Sequence, residues 1–371
     1  MSSFDVAIVG AGIVGAACAD SLSRDGLSVA IIDRNGPATG TTAAGMGHIV
    51  VMDDSEAQFA LTKYSQDLWK KLAGELPDNC EYEHCGTIWV AADDEEMTEV
   101  RRKHDVYNSR GVESEILDQR SLREAEPNLS KHLAGGLLVS GDTVVYQLTA
   151  TNFLIDRARG NGAKLFCGIR AIQIENDGVV LENGERISAS MIVNAAGSNA
   201  SELTPHLQIR KRKGHLVITQ RYNHFVSHQL VELGYLKSAH GTNADSVAFN
   251  VQPRNTNQLL IGSSRQYDAD GTEVNRAILS KMTSRAFEYM PKLRDLAAVR
   301  IWTGFRPATP DNLPYIGEIP GFESVYAAAG HEGLGITTAL GTAEILTDQI
   351  VGRPSTIPIA PYLPSRKITE H

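Results

Sequence analysis

The sequence predicts an α/β fold interrupted by an α+β insertion, and three observations predict it. A continuous apolar run, Phe4-Asp5-Val6-Ala7-Ile8-Val9, leads through glycines into a helical pattern at 13–25 and then into a second run, Ser28-Val29-Ala30-Ile31-Ile32, that stops at Asp33. Such runs suit parallel strands covered on both faces, and 33 residues hold one βαβ unit. The same style returns at Met191-Ile192-Val193-Asn194-Ala195-Ala196-Gly197 and again from Val325 to Ile350 as strand, glycine-rich turn and helix. Between these stretches the alternation is lost, and β-rich pieces prevail. At about 150 residues per domain the 371-residue chain holds two. We place 1–80, 140–205 and 306–371 in a discontinuous Rossmann-type domain, and 81–139 with 206–305 in a second domain on a mixed or antiparallel sheet.

The elements follow in order. Ser55 and Gln58 have the spacing of a capping box, and Ala60, Tyr64, Leu68 and Leu72 recur every four residues, which predicts a helix with that face buried and a stop before Pro77. Gly86-Thr87-Ile88-Trp89-Val90-Ala91 reads as a strand, and the acidic stretch Asp93 to Glu99 opens a polar helix ending near Gly111. A helical pattern from Thr149 to Gly160 precedes strands at Ala163–Phe166, Ala171–Ile174 and Gly178–Leu181, with Asn183-Gly184 as a hairpin turn. Leu216–Thr219, Val247–Val251 and Leu259–Gly262 are strands, and 274–290 is a helix. The basic run Arg210-Lys211-Arg212-Lys213 reads as a solvated connection.

Composition narrows the function. Lysine and arginine number 35 against 44 acids, so a net charge of −9 gives no general attraction to nucleic acid. The longest uncharged stretch, Val6 to Ala19, is shorter than the about 20 apolar residues of a membrane span and lacks the basic flank of a secretory signal. Cys18, Cys80, Cys85 and Cys167 have no metal-binding or CxxC spacing, so we expect reduced thiols, no metal and a cytoplasmic location.

Gly10-Ala11-Gly12-Ile13-Val14-Gly15 is a GxGxxG that follows a strand, opens a helix, and is followed 18 residues after its last glycine by Asp33. Together these form the dinucleotide fingerprint. Gly10 permits the tight turn, Gly12 lets the backbone approach a pyrophosphate, and Gly15 lets helix and strand pack closely. The helix N-terminus offers amide donors and a positive dipole end to phosphates. Asp33 suits an adenosine ribose and disfavours a 2′-phosphate.

Four separated segments carry a more specific resemblance: the fingerprint; Gly40-Thr41-Thr42-Ala43-Ala44-Gly45-Met46; Val193 to Gly197; and Gly304-Phe305-Arg306-Pro307 through Pro314-Tyr315-Ile316-Gly317 to Gly330-His331-Glu332-Gly333-Leu334-Gly335. In order and spacing they resemble the FAD-dependent D-amino acid oxidase superfamily, especially its glycine oxidase, sarcosine oxidase and D-hydroxyproline dehydrogenase members. The resemblance covers nearly the whole chain. It implies that the discontinuous domain binds FAD and that the insertion binds substrate. Gly10, Gly12, Ile13, Val14, Gly15, Asp33 and Arg34 would hold the adenosine diphosphate half, with Ala196 and Gly197 returning beside adenine. Thr41, Thr42, Ala44, Gly45 and Met46 would pass the pyrophosphate and isoalloxazine. Gly304, Arg306, Gly330, His331, Gly333, Leu334, Gly335, Ile336 and Thr337 would close the flavin site, the last of them at a helix start near the ring's O2 edge. With no cysteine between 306 and 317, the FAD is expected to be non-covalent.

The same resemblance places Arg306 as the anchor of the substrate carboxylate, a role that the planar guanidinium fork suits. His48 would be a polar wall beside the ring, and Asn250 stands where related oxidases often carry an aromatic pocket residue. Tyr235, Tyr267 and Trp302 are aromatics for either a cavity or the core, and Tyr315 is read as packing. The implied reaction is oxidation of a small or cyclic amino or imino acid, of D-hydroxyproline, glycine, sarcosine or proline type, by hydride transfer from Cα to flavin N5. Oxygen, or a quinone or other electron-transfer partner, would be the acceptor, in a homo- or hetero-oligomer. Three alternatives stay open: another D- or L-amino acid, a nicotinamide-dependent dehydrogenase, and a non-catalytic flavin subunit of an electron-transfer complex.

Overall fold

A computed structural model of the chain describes residues 3–234, 245–267, 269 and 271–368. The chain divides into two compact units: Met1–Cys80, Tyr146–Lys211 and Phe305–His371 form the first, Glu81–Val145 and Arg212–Gly304 the second. The fold is mixed α/β.

In the first unit β1 (Phe4–Val9), α1 (Ile13–Arg24) and β2 (Val29–Asp33) form the βαβ unit that the apolar runs predict. β1 pairs in parallel with β2 on one side and with Arg186–Asn194 on the other. Across the sheet the order is Tyr315–Glu318, Val325–Ala329, Arg186–Asn194, β1, β2 and Lys164–Cys167, parallel throughout except for the first, antiparallel edge strand. Central strands buried on both faces have no use for polar alternation, and Val6, Ala7, Ile8, Ala30, Ile31 and Ile32 are all fully buried. Helix α1 packs against the helices Gln147–Gly160 and Gly335–Val351. Ala171–Glu175 and Gly178–Leu181 extend Arg186–Asn194 as an antiparallel flap, and Leu181 N–H donates to Glu185 O at 2.9 Å across the Asn183-Gly184 turn.

The second unit is built on an eight-stranded sheet in the order Ala298–Ala308, Arg210–Thr219, Leu259–Arg265, Ser246–Pro253, Gln229–Glu232, Thr87–Ala91, Gly135–Val139, Glu115–Asp118. The sheet is mixed, because Gln229–Glu232 runs parallel to Thr87–Ala91 while the other registered neighbours are antiparallel. One face is apolar: Ile88, Val90, Leu230, Phe249, Val251, Leu259 and Ile261 pack with Met282, Ala286 and Tyr289 of the helix Arg276–Tyr289. Phe249 and Tyr289 stack at 4.7 Å between ring centroids.

Two expectations are corrected. The helix after Ser55 forms as Glu56–Leu72, with the Ser55 hydroxyl accepting the Gln58 N–H at 3.1 Å, but its buried face is Gln58, Leu61, Thr62, Ser65, Gln66, Trp69 and Leu72. Ala60, Tyr64 and Leu68 are only half-buried. The reason is its neighbour: the helix lies against Gly335–Val351, where small and hydrogen-bonding side chains allow close approach. A Cβ added at Gly341 would fall 2.2 Å from Ser65 Oγ. The run Arg210–Lys213 is no solvated connection. It starts the ten-residue strand Arg210–Thr219, in which Arg212 and Lys213 are buried and the Arg212 guanidinium lies 4.8 Å from the ring centre of Tyr267.

Candidate active site

The glycine loop is built by close contacts that exclude side chains. Gly10 has φ +113°, and a Cβ there would fall 2.4 Å from Ala195 O, so this turn requires glycine. A Cβ on Gly15 would fall 2.0 Å from Gly10 O, which fixes how closely α1 packs on the strand end. Gly12 precedes α1 as its N-cap without a capping side chain, and the first turn carries no acid. Its end therefore presents amides and positive dipole without competition from a carboxylate of its own. Asp33 organises the loop: Oδ2 accepts Ala11 N–H at 2.8 Å, and Oδ1 accepts Asn35 and Gly36 N–H, each at 2.9 Å. Oδ2 keeps a second lone pair, while both lone pairs of Oδ1 are engaged. Arg34 follows it on the exposed side.

The other predicted segments of the first unit converge on this loop. Thr42 Oγ1 accepts Ile13 N–H at 3.0 Å, tying Gly40–Met46 to the start of α1. Thr41 Oγ1 donates to Phe305 O at 2.9 Å and lies 3.6 Å from where a Gly197 Cβ would stand. Ala44 ends a short 3-10 turn, Gln147 Nε2 donates to Gly45 O at 2.7 Å, and a Cβ on Gly45 would press on Ile336 Cδ1 at 2.7 Å. Met46 is buried. Thr337 Oγ1 donates to His48 O at 2.9 Å, and Trp69 Nε1 donates to Ile336 O at 3.2 Å and Thr337 O at 3.1 Å. The helix Gly335–Val351 starts at Leu334 with no capping side chain and no acid in its first turn. A Cβ on Gly335 would be 3.4 Å from His331 Cβ and 4.0 Å from Val14 Cγ2, so the last segment meets the first.

Three ionisable groups gather where these segments meet. Arg306 is half-buried, and its Nε would stand 3.7 Å from a Cβ at Gly333. Burial, then the Arg306 charge, push the His48 imidazole down to about 4, against the opposing pull of Glu332. His48 is therefore neutral at pH 7, and its buried Nδ1 has no hydrogen-bond partner. His331 turns away from this group: Nε2 lies 2.9 Å from Thr342 Oγ1, and burial pushes it down to about 3.

A family model described as FAD dependent oxidoreductase, DAO, matches residues 5–349. The chain belongs to the DAO family of FAD-dependent oxidoreductases. Within the family it is 27% identical to hydrogen cyanide synthase subunit HcnC of Pseudomonas aeruginosa, over 98% of this chain and 96% of that one. It is also 27% identical to a glycine oxidase of the same organism, over 98% and 99%. The crystal structure of glycine oxidase from Geobacillus kaustophilus superposes with a TM-score of 0.89 at 25% identity, over the whole of both chains.

The DAO-family loop fits FAD on its own geometry. The close-packed cradle of Gly10, Gly12 and Gly15 leaves backbone amides beyond Ile13 at a helix start whose N-cap is a glycine, which suits a pyrophosphate. Among the described residues no group of His, Cys, Asp and Glu could hold a metal ion, and no helix is long and apolar enough to cross a membrane.

Gly304 and Asn250 fall in the second unit, and Tyr235 lies outside the described residues. Tyr315 is buried under the Arg366 guanidinium at 4.2 Å, a packing role. Trp302 is half-buried with Nε1 hidden and unpartnered. Asn250 is buried on the sheet face opposite the apolar core, and its Oδ1 has no partner. Sequence reasoning missed its neighbours: Val231 pairs with Asn250 and with Trp89, and Gln229 with Thr87, so all share one face. Thr87 Oγ1, Trp89 Nε1 and Gln229 Oε1 are also buried without partners. The signal was present as polar residues in phase with Asn250, but the parallel pairing of distant strands hid it. Glu332 was missed too, because it reads as an ordinary turn residue among glycines.

Proposed function

We propose that this FAD-dependent oxidoreductase oxidises a small or cyclic amino or imino acid at Cα, with Arg306 as carboxylate anchor and His48 as a neutral polar wall. The convergence of Arg306 and His48 with the glycine-rich turn 330–335 carries this reading. Bound FAD supplies a two-electron acceptor; the chain's own groups supply position and electrostatics. An amino acid brings a carboxylate into a partly desolvated site, and a fixed guanidinium offsets that loss of water while setting the Cα position. A neutral His48 beside Arg306 adds no second positive charge and leaves Arg306 as the cation of the group. The uncapped start of Gly335–Val351 would stabilise negative charge arising on the reduced ring. Non-covalent FAD agrees with the absence of cysteine between 306 and 317. The similarity to a glycine oxidase supports an amino acid as substrate, and that to the subunit HcnC supports a second reading in which the chain works inside a hetero-oligomer.

The test is an anaerobic screen of D- and L-amino acids followed by flavin bleaching, then admission of oxygen. Bleaching by a small or cyclic amino acid is expected. Rapid recolouring by oxygen assigns an oxidase, and slow recolouring a dehydrogenase. A flavin that no amino acid reduces would overturn the reading in favour of the non-catalytic subunit.

A further inference from the structure

We infer that Glu332 receives the amino group of the substrate and makes the site select amino acids over other carboxylic acids; the inference rests on the amino acid reading above. The backbone of Glu332 is held in place: its N–H donates to Pro307 O, the residue after Arg306, at 3.0 Å. The Glu332 carboxylate accepts the N–H of Gly333, the residue whose missing Cβ leaves space 3.7 Å from Arg306 Nε. Carboxylate and guanidinium are thus carried by two backbone segments that are bonded to each other. Glu332 also has φ +49°, a left-handed conformation that glycine adopts with far less strain. The turn has glycines at 330, 333 and 335, yet its left-handed position 332 carries a glutamate. Strain retained at a non-glycine residue next to a binding group points to a use for that side chain.

The chemistry of the ligand supplies the use. A guanidinium alone accepts any small carboxylate, with or without an amine. An amino acid is a zwitterion whose ammonium lies on the carbon next to its carboxylate, so a second protein group of opposite sign beside the guanidinium recognises it. The neutral His48 next to them brings no positive charge that would pair with Glu332 in place of that ammonium.

The test compares the amino acid found by the anaerobic screen with its desamino analogue, in which hydrogen replaces the amino group. Binding of the first is read from the concentration dependence of anaerobic flavin reduction, and of the second from the perturbed flavin spectrum. In Glu332→Gln we expect amino acid affinity to fall tenfold or more and desamino analogue affinity to change less than twofold. Equal changes for both ligands, or no change for either, would overturn the inference while leaving the reading intact. If Glu332→Gln fails to retain FAD, Glu332→Gly, which is unstrained at this φ, carries the same comparison with the same expected loss. If wild-type flavin is reduced by no amino acid, the reading itself fails, which is a separate result.

Discussion

At the scale of single residues, charge and burial decide the behaviour of the site. Arg306 is the only cation in the sequence from Trp302 to Tyr315, and it stands beside Gly333 in the half-buried group with His48 and Glu332. Arg306→Met keeps much of the length but removes fork and charge, so kcat/KM for amino acids should fall about a hundredfold, equivalent to about 3 kcal/mol. Flavin content should stay normal; steady-state kinetics with flavin quantitation checks both, and retained affinity for carboxylate inhibitors would exclude the anchor. His331 gives a pH prediction. Its folded value of about 3 lies below an unfolded value of about 6.5, so the unfolded chain binds a proton that the folded chain refuses between those limits. Stability from this residue is full above about pH 6.5 and is lost as pH falls towards 3. His331→Asn should lose about 2 kcal/mol less than wild type between about pH 6.5 and 4.5, measured by urea unfolding at each pH. Identical acid slopes would mean that burial of His331 is not what resists protonation. At this scale the family resemblance and its standing as the only cation from Trp302 to Tyr315 singled out Arg306 in the sequence. Glu332 was not legible, since its left-handed backbone and its bond to Pro307 exist only in the folded turn.

At the scale of elements, the helix Glu56–Leu72 shows where periodicity misleads. Four-residue spacing of Ala60, Tyr64, Leu68 and Leu72 is a true amphipathic signal, but the buried side is the one carrying Thr62, Ser65, Gln66 and Trp69. Those residues meet a helix that approaches closely at Gly341, and hydrogen bonds hold two of them: Thr62 Oγ1 bonds its own helix and Met52 N–H, and Trp69 bonds the carbonyls of Ile336 and Thr337, while Ser65 Oγ is buried without a partner. Gly341→Val should force the two helices apart and lower stability by about 1 to 3 kcal/mol, read as a lower Tm in calorimetry. Because Ile336, Thr337 and the His48 carbonyl share that interface, a measurable loss of FAD affinity should accompany it. An unchanged Tm would show that Ser65 and Leu61 yield without strain. Hydrophobic spacing reports which residues favour burial, whereas the partner element decides which face is taken.

At the scale of the whole molecule, cofactor and fold are linked by mass action. The pyrophosphate loop, the Gly40–Met46 segment and the 330–337 turn come from distant parts of the chain and meet in the first unit, so FAD bound across them should stabilise that unit. At a free concentration about 100 times its Kd, FAD should add about 2.7 kcal/mol. Titration of apoprotein by calorimetry checks this; an equal gain from FMN or NAD would overturn the cofactor assignment. The sequence alone determined the βαβ start, the glycine fingerprint with Asp33 and the run 191–194 of the returning strand, because each is a local demand of backbone geometry or of a buried strand; that strand itself spans Arg186–Asn194. Only the tertiary structure decided which face of Glu56–Leu72 is buried, that Arg212 and Lys213 enter a strand, that Thr87, Trp89, Gln229 and Asn250 share one face, and that Glu332 stands with Arg306 and His48. Those outcomes depend on pairing between segments far apart in the chain, and pairing energies belong to no single segment.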